Sequence, residues 1–255
     1  MGLTDDRAGG DLSAAALAAE LPGRPVRGYP ALLSTEATAL AWARTGAPEG
    51  ALVVADYQAS PRGRAGWPWQ VRPGEGLGFS LVLRPQLPVE REGWLYAVAT
   101  CGLADALGAN ATIAWPDEVR DGPDGARLAG VGIHVQLGPS GTEWAVVTVL
   151  VDEVPLPRTR QLAALVAAVE NRYLNPDAVL DDHRARCATL GREVLARLVP
   201  LGPAGPQVSG RGVDVLADGA LVLLTAKGNR VAVRPQNLGV LEEIPSSTTS
   251  SGSLG

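Results

Sequence analysis

The sequence predicts an α+β protein in which helices and strands are interspersed up to about residue 198 and a small β-barrel follows. Between residues 35 and 192, apolar runs typical of buried strands alternate with segments of helical periodicity. After Pro200, the segment VSGRGVDVLADGALVLLTAKGNRVAVRPQNLGVLE alternates with period two and is interrupted by Asp-Gly and Lys-Gly pairs, which are typical of tight turns between short antiparallel strands. We therefore predict domains at 1–198 and 199–244 and a disordered, low-complexity tail at 245–255.

The individual elements follow from caps, periodicity and turn residues. Ser34 or Thr35 suits a helix N-cap, and Gly46 follows the apolar-periodic segment that they begin. By the same criteria, helices are predicted at 13–21, 35–45, 94–107, 157–174 and 180–192. Strands are predicted at 51–55, 77–84, 112–115, 131–137 and 144–151, the last two as a hairpin around Gly-Pro-Ser-Gly. Residues 115–130, WPDEVRDGPDGARLAG, are predicted to form a turn, and no strand is predicted before residue 30.

Composition excludes several classes of function. The chain has 255 residues and a net charge of −5, so it lacks the basic surface that nucleic-acid binding requires. Cys101 and Cys187 are far apart and the two histidines are isolated, so we predict neither a disulfide framework nor a metal site built by the protein. His134 is expected to be an ordinary sheet residue and His183 to be solvated on its helix. No signal peptide or 18-residue apolar run is found, so we predict a cytoplasmic protein without a membrane partner.

The stretch ADYQASPRGRAGWPW, residues 55–69, is the first candidate for chemistry. Gly63 and Gly66 let backbone N–H groups approach a phosphate closely, and the arginines at 62 and 64 offer planar sets of donors. The stretch follows a predicted strand and precedes another, so it is a candidate anion-binding loop. The spacing alone is equally compatible with a surface turn whose arginines are solvated.

Six segments, in order along residues 34–242, resemble the motifs of the biotin protein ligase family. They are STEATALAWARTGAPEG, VVADYQASPRGRAGWPW, GLGFSLVLRP, AWPDEV, RLAGVGI and HRARCATLGREV. Family members show a Ser-Thr-Asn helix start, an A-E-x-Q-x-x-G-R-G-R-x-G-x-x-W loop, a K-W-P-N-D turn, a K-L-A-G-I strand and a T-L-G-R-x-V entry to an SH3-like domain. The ordered series is far more specific than any one of these motifs.

The resemblance implies a mixed β-sheet flanked by helices with an SH3-like C-terminal domain, similar to the short members that lack a DNA-binding domain. It implies activation of biotin with ATP to biotinyl-5′-AMP and transfer of the biotinyl group to a lysine of a biotin carboxyl carrier protein domain. ATP and Mg²⁺ are the implied cofactors, and biotin or a related carboxylic acid is the implied substrate. A homodimer is common in the family, and no nucleic acid beyond the nucleotide is expected.

The resemblance also assigns site residues. The catalytic residues are Arg62 and Arg64; the biotin-binding residues are Ser34, Thr35, Gln58, Gly63 and Gly66; the nucleotide-binding residues are Arg62, Trp69, Trp115 and Arg127. The Ser-Thr pair equally suits helix capping, and a buried core position is the commoner use of tryptophan. A carboxylate of the Pro-Asp-Glu turn suits Mg²⁺ beside the phosphates, or a solvated turn.

Some positions depart from the family pattern. Ala114 stands at the lysine of the K-W-P-N-D turn, and Val149 and Val151 are predicted to stand at the glycines of a G-x-G-x-N strand. Loss of a charge-assisted contact such as that lysine lowers transition-state stabilisation. Three hypotheses therefore remain: a working ATP-dependent biotin protein ligase, a weakened or inactive paralogue that binds a biotin-like ligand or a carrier domain without adenylating, and a soluble α/β scaffold whose resemblance to the family is purely historical.

Overall fold

The computed structural model describes residues 10–244, and the predicted tail at 245–255 lies outside this range. Its larger sheet consists of β1 (Val26–Leu32), β2 (Leu52–Gln58), β3 (Leu77–Leu83), β4 (Ala111–Ala114), β5 (Glu118–Asp121), β6 (Arg127–Gly138) and β7 (Gly141–Val151). Their order across the sheet is β1-β2-β3-β7-β6-β5-β4. Strands β1 and β2 run parallel and the other neighbours antiparallel, so the predicted mixed sheet is confirmed.

Helices cover both faces of this sheet. They are α1 (Ala14–Glu20), α2 (Thr35–Arg44), α3 (Trp94–Leu107), α4 (Arg158–Leu174) and α5 (Val179–Arg186). Helices α3 and α4 bury one face, where Leu165 joins a core with Phe79 and Val149. Helix α2 covers part of the opposite face, which includes Val53 and Val146. No helix in residues 10–244 has the length and apolar character needed to cross a lipid bilayer.

The C-terminal strands form a second, antiparallel sheet. It contains β8 (Glu193–Leu198), β9 (Gln207–Val215), β10 (Leu221–Leu224), β11 (Arg230–Val233) and β12 (Leu238–Glu243), in the order β11-β10-β9-β8-β12. Val194, Val215, Leu221 and Leu238 are buried in its own apolar cluster. Because β8 begins at Glu193, this sheet starts before the boundary at 198/199. The division of the chain into domains at that boundary stays a prediction.

Some elements differ from the predictions, each for a local reason. Strand β1 was not predicted because Gly28 and Pro30 are poor strand residues; the strand lies at the edge of the sheet, where proline is tolerated. Strand β5 lies inside the predicted turn at 115–130, which also contains the first residues of β6, and β5 buries only Val119 among its four residues. Helix α5 ends at Arg186 rather than at 192, because Cys187 forms a β-bridge with Ile113 of β4.

Candidate active site

The arginine loop lies flat across the face of the sheet that α2 leaves uncovered. It begins at the end of β2, folds back on itself through a hydrogen bond from the Gly63 amide to the Trp67 carbonyl (2.9 Å), and turns at Ala65 and Gly66. Both turn residues adopt the left-handed region, with φ values of 53° and 74°. A non-glycine residue in this region is uncommon and such strain clusters at functional sites.

Two glycines of β6 allow this close approach. A Cβ atom built on Gly130 would lie 2.0 Å from Cη2 of Trp69, and one on Gly132 would lie 3.1 Å from the carbonyl carbon of Gly63. The first distance is far below any normal contact, so a side chain at Gly130 would displace the indole. The two glycines of the RLAGVGI segment therefore leave the room that the loop needs to lie close to β6.

The predicted biotin-binding residues of α2 and β2 form a buried polar chain. The Thr35 amide donates to Oε1 of Gln58 (2.7 Å), and the Thr35 hydroxyl donates to the same oxygen (3.2 Å). The Ser80 hydroxyl lies 3.0 Å from that of Thr35 and 2.8 Å from that of Thr148. Ser34 caps α2 by accepting from the Ala37 amide (3.0 Å), which is the structural role that its sequence position also suited.

The two loop arginines have different surroundings. Arg64 is buried: its Nε lies 3.1 Å from Oδ2 of Asp117, and its terminal nitrogens donate to the carbonyls of Leu238 and Gly239 in β12. Arg62 is exposed and donates only within the loop region, to Ser60 and Gly66. Arg64 thus joins the loop, the Pro-Asp-Glu turn and the second sheet, a connection between residues distant in sequence that no motif indicates.

Asp117 titrates abnormally. Burial raises the pKa of its carboxyl from 3.8 to about 6, and the nearby Arg64 guanidinium opposes this shift without cancelling it. The neighbouring Glu118 adds to the rise by repulsion between like charges. A carboxyl that changes charge near neutral pH, beside a buried arginine, is typical of functional sites.

Arg127 stands where the resemblance placed a positive charge. Its guanidinium carbon lies 3.5 Å from the centre of the Trp69 ring, in a cation–π contact. Its Nε lies 3.2 Å from Oδ2 of Asp152 at the end of β7. These two contacts fix the guanidinium at the cavity wall, and Asp152 was not among the site residues predicted from the sequence.

Arg64, Asp117, Trp69 and Arg127 line one cavity of about 590 Å³ between the first sheet and β12. Most of its wall comes from the arginine loop, the Pro-Asp-Glu turn, β5 and β6, the segment before β8, and β12 itself. Among its lining residues are Gly63, Arg64, Trp69, Ala114, Trp115, Asp117, Glu118, Arg120, Arg127, Thr189, Gly239 and Leu241. Arg120 was not foreseen; it pairs with Glu118 at 2.6 Å and adds positive charge to the cavity.

Trp115 borders the cavity but is mainly a packing residue. It is 3% exposed, its indole N–H donates to the Gly219 carbonyl (2.9 Å), and it belongs to the apolar cluster of the second sheet. Its ring therefore holds the two sheets together. Contact between Trp115 and a nucleotide stays a prediction, as do the other residue roles taken from the resemblance.

The structure corrects two expectations about side-chain orientation. Val149 and Val151 point into the core under α3 and α4 and therefore do not face the loop. The residues of β7 that face the loop are Thr148 and Leu150. His183 is 1% exposed rather than solvated, and burial lowers its pKa from 6.5 to about 4. Sequence periodicity shows that alternate residues share a face, but it does not show which face.

The described residues show no group of three or more His, Cys, Asp or Glu side chains that could hold a metal. Four carboxylates line the cavity, those of Asp117, Glu118, Asp124 and Glu243, and each is paired with an arginine. This set fits an Mg²⁺ ion that keeps phosphate and water as most of its ligands, and it does not fit an ion held by protein alone.

Comparisons with known proteins identify the fold first. The biotin protein ligase from Aquifex aeolicus in complex with biotin and ATP matches with a TM-score of 0.65 at 20% identity, covering 86% of this chain and 99% of that one. A biotin protein ligase-like protein of unknown function from a Silicibacter species matches with a TM-score of 0.62 at 18% identity, covering 84% and 96%. The mixed sheet, the loop across it and the second sheet thus define a protein of the biotin protein ligase fold class.

Sequence comparison then identifies the family. The biotin–[acetyl-CoA-carboxylase] ligase of Mycobacterium tuberculosis is 30% identical over 216 residues, which cover 74% of this chain and 79% of that protein. The chain belongs to the biotin protein ligase family. The bifunctional ligase/repressor BirA of Bacillus subtilis is 36% identical over 107 residues, so the match spans 40% of this chain but only 33% of that relative's length. No family model matches the chain.

Proposed function

We propose that this protein is an ATP-dependent biotin protein ligase that converts biotin to biotinyl-5′-AMP and transfers the biotinyl group to a lysine of a biotin carboxyl carrier protein domain. The observation that carries the proposal is the cavity itself. Its lining brings together Arg64, Arg120 and Arg127, and the loop that carries Arg64 starts at the end of β2, beside the proposed acid-binding residues Thr35 and Gln58. The named relatives and the biotin and ATP complex of the Aquifex enzyme support it.

The first step joins two anions, so the site must hold negative charge. A carboxylate oxygen of the acid attacks the α-phosphorus of ATP, a new acyl–phosphate bond forms, and pyrophosphate leaves. Charge on the phosphate oxygens grows during this displacement, and fixed donors stabilise it. Arg127, held between Trp69 and Asp152, is such a fixed donor, because its guanidinium needs little rearrangement.

The loop arginines are proposed to add further hydrogen-bond donors for the phosphate oxygens. Arg62 is exposed and is not among the residues that line the cavity, so it is proposed to leave Ser60 and Gly66 and turn toward a bound phosphate. Arg64 already faces the cavity but is engaged by Asp117 and β12, so its proposed role includes holding the wall in place. Mg²⁺ is proposed to arrive with the nucleotide, where it would neutralise phosphate charge near Glu118.

In the second step, the amine of the carrier lysine attacks the acyl carbonyl and AMP leaves. Biotin as the acid, the carrier domain as acceptor, a homodimer and a cytoplasmic location all belong to the proposal. Arg120 and Arg127 line the cavity together with Ala114 and supply cationic groups there, which supports the ligase over the inactive paralogue.

The direct test is biotin-dependent exchange of labelled pyrophosphate into ATP by the purified protein. We expect exchange that requires biotin, since the first step is reversible while the adenylate stays bound. The matched control is the same reaction without biotin. Folded protein that gives no exchange above this control, at saturating ATP and biotin, would show that the proposed activity is wrong.

Replacement of Ala114 by lysine is expected to raise the exchange rate about tenfold or more, because one well-placed donor contributes on the order of 100-fold. Ala114 lines the cavity and pairs across the ladder with Glu118, so a lysine there would reach into the charged region. The control is Ala109→Lys, which adds the same charge at an exposed position outside the cavity. An unchanged rate in a folded Ala114→Lys variant would contradict the assignment of that position.

A further inference from the structure

Beneath the arginine loop, three neighbouring strands present one continuous patch of side chains. In the sheet order, β7 lies between β3 and β6. Leu150 of β7 pairs with Gly78 of β3 and with Gly130 of β6, and Thr148 pairs with Ser80 and with Gly132. Paired residues on antiparallel strands point to the same face, so these six residues form the floor under the loop.

Leu150 is the one large side chain in this floor. The loop rests on the glycines: Trp69 lies on Gly130, and the amide nitrogen of Gln58 lies 2.0 Å from where a Cβ of Gly78 would be. The Cδ2 atom of Leu150 lies 3.2 Å from that same Cβ position, and Leu150 has no exposed surface. Leu150 therefore stands between Gly78, over which Gln58 lies, and Gly130, over which Trp69 lies.

This position separates the two ends of the proposed acid site. The polar end is Thr35 with Gln58, whose amide groups would bind a ureido ring. The charged end is the cavity with Arg127, and its walls include neither of those residues nor Leu150. An acid whose ring contacts Gln58 and whose carboxylate enters the cavity must cross β7, where Leu150 stands.

We propose that Leu150 is a specificity-determining residue that limits the affinity of this site for a ring-bearing acid such as biotin. Binding must displace its side chain from a fully packed position, and the lost packing opposes the gain from the ring. This inference rests on the proposed function, because it assumes that the acid spans from Gln58 to Arg127. Truncation of Leu150 to alanine removes the side-chain atoms that stand in this path.

The test is calorimetric titration of biotin into the full chain, its Leu150→Ala variant and the control Val149→Ala. Val149 is the next residue on the same strand and equally buried, but it faces the opposite core, so its truncation disturbs packing without touching the acid site. We expect Leu150→Ala to bind biotin at least tenfold more tightly than the unmodified chain, and Val149→Ala to bind within twofold of it.

Thermal unfolding with and without biotin accompanies the titration, because both variants lose core packing. Biotin is expected to raise the melting temperature of Leu150→Ala more than that of Val149→Ala. If Leu150→Ala does not fold, Leu150→Val replaces it, with an expected tightening of about threefold from the smaller truncation.

The inference and the proposed function fail differently. Biotin-dependent exchange by the unmodified chain, together with equal or weaker biotin binding by a folded Leu150 variant, overturns the inference alone. Absence of both exchange and biotin binding in the unmodified chain and in the variant overturns the inference together with the proposed function. Tighter biotin binding by the Leu150 variant than by the unmodified chain supports the inference.

Discussion

Replacement of Arg64 by alanine is expected to lower the free energy of unfolding by about 3 kcal/mol at pH 7 and to speed the release of the adenylate. Removing one partner of a buried ion pair leaves the other charge uncompensated, which is among the most damaging single changes. Here it would leave Asp117 without its cation and two carbonyls of β12 without their donor. Denaturant unfolding measures the first effect, and single-turnover release of biotinyl-5′-AMP measures the second.

The matched control is Arg62→Ala, which removes the same group from the same loop. Arg62 is exposed, and among residues 10–244 its side chain donates hydrogen bonds only to Ser60 and Gly66. We therefore expect Arg62→Ala to change the free energy of unfolding by less than about 0.5 kcal/mol. Equal stability losses in the two variants would contradict the account of Arg64 as the buried link between the sheets. Unchanged adenylate release in Arg64→Ala would contradict its proposed part in retaining the intermediate.

The loss at Arg64 should also depend on pH, in a direction set by Asp117. Burial raises the pKa of Asp117 to about 6, and removing Arg64 raises it further. A carboxyl whose pKa is higher in the folded state stabilises the protein at pH below its ordinary pKa of 3.8 and loses that stability as the pH rises through the folded value. The destabilisation by Arg64→Ala is therefore expected to be smaller at pH 4 than at pH 8.

Acidification is expected to destabilise the unmodified protein through His183 by about 3 kcal/mol between pH 6.5 and pH 4. The imidazole is buried on α5, and its Nδ1 atom has no hydrogen-bond partner among residues 10–244. Burial lowers its pKa to about 4, so the unfolded chain gains a proton below pH 6.5 while the folded chain stays neutral. The stability present above pH 6.5 is thus lost as the pH falls, at about 1.4 kcal/mol per pKa unit.

The measurement is the unfolding free energy across pH 4 to 7.5 for the unmodified chain and for His183→Leu, which keeps an apolar side chain of similar size. The unmodified chain should lose about 3 kcal/mol relative to His183→Leu between pH 6.5 and pH 4, because titration of the carboxylates is common to both. His134→Gln is measured beside it, because burial also lowers the pKa of the half-buried His134, and the pair of variants separates the titration of the two histidines. Parallel curves for the unmodified chain and His183→Leu would show that His183 does not titrate as described.

Much of the fold could be predicted because it depends on local patterns. The apolar helix at 94–107 and the hairpin of β6 and β7 were recognisable from periodicity and from the Gly-Pro-Ser-Gly turn. Strand β1 could not be predicted in this way, because Gly28 and Pro30 are poor strand residues and its partner β2 lies more than twenty residues away. The end of α5 is set by a bridge to Ile113, which is a tertiary contact without a local signal.

The candidate site shows the same division between local and distant information. Gln58, Arg64 and Trp69 were singled out from one loop, and Arg64 and Trp69 do line the cavity. The partners that determine what Arg64 does are Asp117 and the carbonyls of β12, far along the chain. The identity of Leu150 as the residue facing the loop required the strand register, because moving the register by one residue reverses every side chain.

A crystal structure of the protein with biotinyl-5′-AMP tests the proposed position of the adenylate site most directly. We predict that its phosphate lies in the 590 Å³ cavity, within hydrogen-bonding distance of Arg127 and of the loop that carries Arg64, with the ureido ring at Thr35 and Gln58. A phosphate bound elsewhere, for example in the similarly large cleft beside Arg24 and Glu170 on the other side of the molecule, would contradict it.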